Sequence, residues 1–269
     1  MQASDVDGDA LTATGLAISV GSGTLVNNGN GTWSYTPAAN DNSDVSFSYT
    51  ITDGTASVAA SASLDITPVN DAPINTVPAA QTTSEDTSKA ITGLAISDPD
   101  AGSGSMTVTL GVTNGTLNVS GGTAAIAGSG TNSVTLTGTV AEINSTLGAT
   151  VSYMPTANFN GTAELTMTTS DNGNTGSGGT LTDVETVNIT VTAVNDLPTG
   201  TDNTITINED TPHTFSAASF GYSDVEGSPL ASVRIDTLPA AGTLYLSNVP
   251  VTAGQVIPAG SLGGLTFSP

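Results

Sequence analysis

Short stretches of the chain alternate apolar and polar residues, as strands with one buried face do. The clearest are 45–51, 187–191 and 204–207. Turn-forming Gly, Asn, Asp and Pro separate such stretches about every eight to twelve residues, the spacing typical of β-sandwiches. The pattern predicts an all-β protein built from sandwich modules.

One segment has a helical pattern instead. Thr139 and Glu142 are spaced as a capping box, Ile143 and Leu147 would share a face, and Gly148 can close the helix. We therefore expect one helical turn over residues 139–148, in an insertion that the other parts of the chain lack.

Five short motifs recur in the same order along the chain, which indicates tandem copies of one module. They are Val-Asn-Asp-x-Pro at 69 and 194, Glu-Asp-Thr at 85 and 209, Ser-Asp-x-Asp/Glu at 4, 97 and 223, Gly-Thr-Leu at 23, 115 and 242, and aromatic-x-Pro at 35, 153 and 267. The repeats predict three modules at residues 1–71, 72–196 and 197–269. Because the first module has no Glu-Asp-Thr motif and the third stops at its aromatic-x-Pro motif, we expect a piece of a longer tandem array. We expect this piece to be a monomer.

The composition is strongly acidic: 24 Asp and Glu face only 2 Lys and Arg, for a net charge of −22, with one His and no Cys. Such a chain cannot neutralise phosphates, so nucleic acid and anionic membrane surfaces are excluded as partners. Disulfides and thiol chemistry are excluded as well. Apolar runs are all far shorter than the roughly 20 residues of a membrane span, and none is predicted.

More than half of the acidic residues occur in short clusters within the repeated motifs. Clustered carboxylates repel one another unless a positive charge lies between them, and the chain supplies only Lys89 and Arg234. An external hard cation such as Ca²⁺, which prefers oxygen ligands, would balance them.

These motifs resemble the bacterial cadherin-like tandem repeats of large calcium-dependent surface adhesins and biofilm-associated proteins. The resemblance rests on the Val-Asn-Asp-x-Pro linkers, the Glu-Asp-Thr and Ser-Asp-x-Asp/Glu motifs, and strands that end in an aspartate such as Asp53. It implies Ig/cadherin-like Greek-key β-sandwiches joined end to end, with Ca²⁺ between successive modules. The ligands would come from one module, the linker and the next module.

The resemblance and the alternation of strand direction together imply a ligand set for each junction. The first would gather Asn70, Asp71, Asp98, Asp100 and Asp171, with oxygens from the loop 40–44. The second would gather Glu85, Asp86, Asn195, Asp196, Asp224 and Glu226. Asp5, Asp7, Asp53 and Glu209 are further candidate ligands. Asp86 and Asp210 are weaker candidates, since neighbours on an extended strand face opposite ways.

The linkers also depart from the eukaryotic cadherin pattern, which begins with an Asp. Pro68 and Ala193 stand at that position, and Ala72 or Leu197 follows the Asn-Asp pair. Two ligands are therefore missing, and we expect one or two ions at each junction.

Other interpretations of the same residues stay open or fail. Each acidic cluster could form a turn, because Asp and Asn hydrogen-bond their own backbone. An EF-hand at 5–16 fails, since Leu16 stands where the bidentate Glu should be. His213 has no nucleophile in a suitable context, and the Gly-rich stretch 173–179 indicates a flexible hairpin tip.

The leading hypothesis is a non-enzymatic extender of a secreted or cell-surface bacterial adhesin, stiffened by Ca²⁺ and supporting adhesion or biofilm formation. Its partners would be neighbouring modules of the same chain, with host or cell-surface glycans or proteins bound through other domains. One alternative is a module that itself binds a carbohydrate or protein, in the loops near 120 and the insertion 139–147. Another is an accessory array of a secreted enzyme.

Overall fold

The alternating segments form strands throughout the computed structural model, which describes residues 3–269. Residues 1–192 and 193–269 form two units, each with its own core. The first contains modules one and two, and the second contains the linker that begins at Ala193 and module three.

Module one is a three-stranded antiparallel sheet and a hairpin. Its strands are β1 (Thr12–Val20), β2 (Gly23–Asn27), β3 (Trp33–Pro37), β4 (Val45–Thr52) and β5 (Ser57–Leu64). The sheet order is β1-β4-β5, and β2 pairs with β3. Val45 and Phe47 are its buried apolar residues, and Tyr35 meets Phe47 edge to face at 5.3 Å between ring centroids.

Module two contains the largest core. Its elements are β6 (Ile74–Thr76), β7 (Gln81–Ser84), β8 (Lys89–Ala90), β9 (Ala95–Ser97), β10 (Met106–Val112), β11 (Gly115–Ser120), β12 (Ala125–Ala127), β13 (Ser133–Gly138), α1 (Val140–Leu147), β14 (Thr150–Pro155), β15 (Gly161–Ser170) and β16 (Thr182–Thr192).

Two sheets of module two enclose that core. One has the order β12-β13-β10-β15-β16-β7, with β7 parallel to β16, and the other has the order β11-β14-β8. Fully buried Leu110 and Met167 from the first sheet pack in one cluster with Leu117 and Tyr153 from the second. The predicted all-β sandwich is confirmed.

The helix has the predicted capping box. The Thr139 hydroxyl accepts from the Glu142 N–H at 3.3 Å, and Glu142 Oε2 accepts from the Thr139 N–H at 2.8 Å. Gly148 is the C-cap, and Ile143 and Leu147 are buried on one face. Asn144 holds α1 against β9, because its amide both accepts from and donates to the Ile96 backbone at 2.8 Å.

The second unit is smaller. Its strands are β17 (Thr199–Gly200), β18 (His213–Thr214), β19 (Tyr222–Ser223), β20 (Ser232–Ile235), β21 (Thr243–Leu246), β22 (Val249–Pro250), β23 (Gln255–Pro258) and β24 (Leu265–Ser268), with 3₁₀ helices at Ala217–Phe220 and Ala259–Gly264. Val251, Ile257, Leu262 and Leu265 form its core.

One predicted strand is wrong. Residues 204–207 alternate apolar and polar side chains, but they are irregular and largely exposed. Alternation produces a strand only where a neighbouring backbone completes the hydrogen bonds, and no strand of the described second unit pairs with this segment.

Two of the recurring motifs pair with each other in every module. The Gly-Thr-Leu strand lies antiparallel to the aromatic-x-Pro strand, in β2 with β3, β11 with β14, and β21 with β24. A Cβ at Gly115 would lie 2.4 Å from Tyr153 Cε2, and one at Gly242 would lie 2.6 Å from Phe267 Cε2. Glycine recurs because the aromatic ring occupies the place of a side chain.

Candidate functional site

The linker meets module two at the pole where several of its strands end. Asp98 and Asp100 follow β9, and Asp171 follows β15. Asn70 and Asp71 cross this pole, and each is hydrogen-bonded to one of these carboxylates. The structure therefore brings the five residues of the predicted first-junction set to one pole.

Asp171 is the most deeply buried of the five, with no exposed surface. Its Oδ1 accepts from the N–H groups of Gly173 and Leu181 at 2.8 and 2.9 Å, and its Oδ2 accepts from the Asn70 side-chain amide. Burial acts to raise the pKa of Asp171, but these hydrogen bonds outweigh it and hold the pKa below its ordinary value. Asp171 is thus an ionised anchor for the linker.

Asp98 and Asp100 form a turn that keeps two carboxylates together. Asp98 Oδ1 accepts from the N–H groups of Asp100 and Ala101 at 3.0 and 2.9 Å, so the turn interpretation holds for this oxygen. Asp100 Oδ2 accepts from the Asp71 N–H at 2.9 Å. Burial and the neighbouring Asp100 carboxyl raise the pKa of Asp98.

Three oxygens at this pole are buried without a hydrogen-bond partner among residues 3–269. They are Asn70 Oδ1, Asp98 Oδ2 and Asp100 Oδ1, and Asn70 itself is only 5% exposed. An unpartnered buried oxygen is costly, and most such atoms in proteins are satisfied. Amide and carboxylate oxygens are the ligands that Ca²⁺ prefers, so the donor chemistry fits this cation.

The acidic side chains alone do not form a complete metal site. Within residues 3–269, no three Asp, Glu or His side chains are grouped so that they could hold a metal ion. A cation at this pole would need the Asn70 amide, oxygens from module one or water to complete its 6–8 ligands.

Module one supplies polar atoms on the other side. A cleft of about 310 Å³ is lined by Asn40, Asp41 and Asn42, by linker residues 66–69 and 71, and by Asp100. Hydrogen bonds from the Ser22 hydroxyl and from Ser43 hold the pKa of Asp41 below its ordinary value. The predicted loop 40–44 thus shares a cleft with the linker and module two.

Two predicted ligands also share a cleft within module one. Asp5 and Asp53 line a cleft of about 300 Å³. Asp5 Oδ1 accepts from the N–H groups of Asp7 and Asp9 at 2.8 and 3.2 Å, and Asp53 Oδ1 accepts from Thr55 and Ala56, both at 2.6 Å. The Ala56 and Thr55 N–H groups lower the pKa of Asp53. Asp7 is exposed, and the metal role of Asp5, Asp7 and Asp53 stays a prediction.

Glu85 lies at the opposite pole of module two. It is 3% exposed, and its N–H donates to the carbonyl of Thr192, where β16 ends. Asp86 and Asp210 are not on extended strands as we expected: both have a positive φ, 56° and 60°. The turn arises because Asp tolerates the left-handed region better than most residues. Glu209 is exposed.

The second unit repeats part of the first-junction arrangement. The Asp196 N–H donates to Glu226 Oε1 at 3.0 Å, and Asp224 Oδ1 accepts from the Ser228 N–H at 2.8 Å. The Asn195 side chain donates to the Asp196 carbonyl at 2.8 Å. The metal roles of these four residues and of Glu85 and Glu209 stay predictions.

The residues that sequence reasoning missed lie in the Gly-rich loop after Asp171. Ser177 exchanges two backbone hydrogen bonds with the linker, and Gly179 accepts one from Asn70. The glycine content of this loop suggested only flexibility. The signal that could have identified its contact with the linker is its length, because it is longer than the corresponding turn at Asp53.

Residues 1–67 match the model of a family described as the cadherin-like domain. The match covers a quarter of the chain, and it confirms the cadherin-like resemblance for module one. A comparison with curated protein sequences gives no match.

Solved structures with a similar arrangement include cadherin ectodomains. Human protocadherin-24 EC1-2 is 15% identical, with 71% of this chain and 86% of that chain covered and a TM-score of 0.39. Mouse protocadherin-24 EC1-3 is 13% identical, with 97% and 76% covered and a TM-score of 0.39. An endo-fucoidan hydrolase of glycoside hydrolase family 107 is 18% identical, with 95% and 34% covered and a TM-score of 0.25.

The helices of residues 3–269 are all too short or too polar to cross a membrane.

Proposed function

We propose that the linker pole of module two binds Ca²⁺, and that the ion ties the cadherin-like first module, the linker and module two into a stiff segment. The observation that carries the proposal is the set of three buried, unpartnered oxygens on Asn70, Asp98 and Asp100. They lie on two parts of the chain separated in sequence, so one cation would join them.

Electrostatics supplies the mechanism. Without a cation, burial and, to a smaller extent, the neighbouring Asp100 carboxyl disfavour the ionised form of Asp98 and raise its pKa. Bound Ca²⁺ would reverse that interaction and add the Asn70 amide as a neutral ligand. Oxygens of loop 40–44 across the cleft would complete the shell with water. Binding would thereby contribute directly to junction stability.

At the level of the whole chain, we propose a non-enzymatic extender of a secreted, cell-surface bacterial adhesin that supports adhesion or biofilm formation. Cadherin-like domains generally mediate adhesion and bind Ca²⁺, and the family is non-enzymatic. The −22 net charge suits an environment rich in divalent cations.

The structure offers less support for a ligand-binding role of module two. The insertion 139–147, where this alternative places the ligand, contributes to the core, because Ile143 and Leu147 are buried there. A Cβ at Gly122 would lie 2.3 Å from Thr146 Cα, so the loop near 120 packs directly against α1.

Calorimetric titration with Ca²⁺, combined with thermal unfolding in Ca²⁺ and in chelator, tests the junction. We expect heat of binding and a higher melting temperature in Ca²⁺, because the ion binds the folded state. Asp98→Asn should weaken binding by at least about tenfold, since a carboxylate ligand becomes a neutral amide.

Glu164→Gln is the matched control. It removes one negative charge from an exposed position of β15 that lies opposite Asn188, towards the end of the strand away from Asp171 and the linker pole, and should leave the binding heat unchanged. Absence of binding heat together with an unchanged melting temperature would overturn the proposal. An equal loss of binding heat in both variants would show that binding depends only on the total negative charge of the chain, and would also overturn the proposal.

A further inference from the structure

The loops after Asp53 and after Asp171 begin alike and then differ in length. In module one, β4 and β5 are joined by the tight turn 53–56, in which Asp53 accepts the Thr55 and Ala56 N–H groups. In module two, Asp171 accepts the N–H groups of Gly173 and Leu181. Asp171 therefore closes a turn as Asp53 does, and residues 174–180 form an additional loop between the two N–H groups that it accepts.

The looped-out residues lie along the linker as a short strand would. The Asn70 N–H donates to the Ser177 carbonyl at 2.9 Å, and the Ser177 N–H donates to the Pro68 carbonyl at 3.0 Å, which makes a parallel bridge between Val69 and Ser177. The Asn70 side chain adds a third bond, to the Gly179 carbonyl at 2.8 Å.

The approach is close enough to require glycine. A Cβ at Gly176 would lie 2.8 Å from the Asn70 nitrogen and 2.9 Å from the Val69 carbonyl carbon. Gly176 also has a φ of 128°, which residues with a side chain rarely adopt. The linker backbone thus fills the space that a side chain at position 176 would need.

The other side of the loop is fastened to module two. The Thr175 hydroxyl donates to the Asp100 carbonyl at 2.6 Å, and the Asn174 amide donates to the carbonyls of Asp171 and Ser105 at 2.7 and 2.8 Å. The predicted flexible hairpin tip is therefore tied down on both sides.

We propose that residues 174–180, here named the clasp, form a peptide-binding surface that holds the linker segment 68–70 on module two whether or not a cation is present. Its bonds to the linker use main-chain groups, the Asn70 amide and the Ser177 hydroxyl, and none uses a charge that a cation must neutralise. It follows that motion of the cation-free junction is confined to residues before Pro68. This inference does not depend on the proposed Ca²⁺ binding.

Amide hydrogen exchange of the whole chain in excess chelator tests the clasp. We expect the Asn70 and Ser177 amides to be protected in the original protein, because both are hydrogen-bonded between loop and linker. Gly176→Ala should accelerate exchange of both amides by at least about tenfold, the consequence of a local opening made easier by about 1.4 kcal/mol.

Gly179→Ala is the matched control, since Gly179 also has a positive φ, 78°, but a Cβ there would meet nothing within 4 Å. It should leave both amides much closer to their original rates. Ser177→Pro is a second variant, because proline removes the N–H that donates to Pro68; it should expose the Asn70 amide. Exchange at the Leu110 amide in β10 reports whether each variant is folded.

Two outcomes would overturn the clasp. One is Asn70 exchanging at the rate of an open chain in the original protein in chelator. The other is equal exchange in Gly176→Ala and Gly179→Ala while Leu110 stays protected. Because every measurement is made in chelator, a failure to bind Ca²⁺ would overturn the proposed function and leave this result unaffected.

Discussion

The backbone N–H of Asp71 donates to Asp100 Oδ2 at 2.9 Å, which joins the linker to the turn after β9. The same relationship recurs in the second unit, between the Asp196 N–H and Glu226 Oε1 at 3.0 Å. In the Ser-Asp-x-Asp/Glu motifs at 97 and 223, the second acid therefore accepts a backbone hydrogen bond without any cation. The recurrence of an acidic residue at this position therefore has a structural explanation, the hydrogen bond to the linker, in addition to the proposed metal role.

Replacing Asp100 should separate those two roles. Asp100→Asn keeps an oxygen for the Asp71 N–H and removes repulsion with Asp98, so in chelator we expect stability within about 0.5 kcal/mol of the original or above it. Asp100→Ala loses the acceptor and should cost about 1–2 kcal/mol. Urea unfolding in chelator measures both, and equal destabilisation by the two variants would contradict the assignment.

Asp171→Asn should destabilise module two even in chelator. The amide can offer one oxygen to the Gly173 and Leu181 N–H groups, but its NH₂ would then face the NH₂ of Asn70. Leaving a buried donor unpartnered costs about 1–3 kcal/mol. Denaturant unfolding at neutral pH tests this, with Asp202→Asn at an exposed position of the second unit as the control.

The difference in unfolding free energy between the original protein and Asp171→Asn should depend on pH in a defined direction. The pKa of folded Asp171 is lowered from its ordinary value of 3.8, so its contribution to stability is fully present above that value. It is lost as the pH falls through the folded pKa. In chelator, the gap between the original protein and Asp171→Asn should be constant above pH 3.8 and shrink below it; a gap that grows on acidification would contradict this.

Asp98 should behave in the opposite way. Burial and the neighbouring Asp100 carboxyl raise the folded pKa of Asp98 above 3.8, so its ionised form is disfavoured in the folded state. Its contribution in chelator is most favourable below pH 3.8 and is lost as the pH rises through the raised pKa. We expect Asp98→Asn to flatten this part of the stability curve, as measured by urea unfolding between about pH 3 and 6.

The sequence was sufficient to predict those strands whose alternating segment pairs with a neighbouring strand in the structure. Residues 45–51 lie within β4 and residues 187–191 within β16. Residues 204–207 show the same alternation and are not a strand, because pairing depends on other segments that the local pattern does not describe. The helix was predictable because its cap, its buried face and its end all lie within ten consecutive residues.

For the candidate site, the order of the motifs was sufficient to predict which residues meet at the linker pole. It could not predict which oxygen of each side chain accepts which hydrogen bond. Strand direction correctly brought Asp98, Asp100 and Asp171 to the linker. Which oxygens are already used by the turn, as Asp98 Oδ1 is, follows from backbone geometry that a residue pattern does not specify. The clasp was missed because the parallel bridge between Ser177 and the linker is made by backbone groups, which every residue carries.

The glycine of the Gly-Thr-Leu motif gives a test of the repeated packing. Gly115→Ala would place a Cβ 2.4 Å from both Tyr153 Cε2 and the Met154 carbonyl oxygen, and should destabilise module two by about 1–3 kcal/mol through overpacking. Gly111→Ala is matched, since it lies in β10 with nothing within 4 Å of its added Cβ. It should be neutral or slightly stabilising, and thermal unfolding should separate the two variants.

The Tyr153 hydroxyl should make a measurable contribution of its own. It donates to the Asn114 carbonyl at 2.8 Å from a ring with no exposed surface. Tyr153→Phe removes this bond, but the same carbonyl also accepts from the Thr156 N–H at 3.0 Å, so no acceptor is left unpartnered. We expect a loss of about 1 kcal/mol by urea unfolding, with the packing against position 115 unchanged. Module three carries Phe267 at this position of the motif, which shows that the ring alone can fill the place. A loss as large as that of Gly115→Ala would therefore contradict the division between ring packing and hydroxyl bonding.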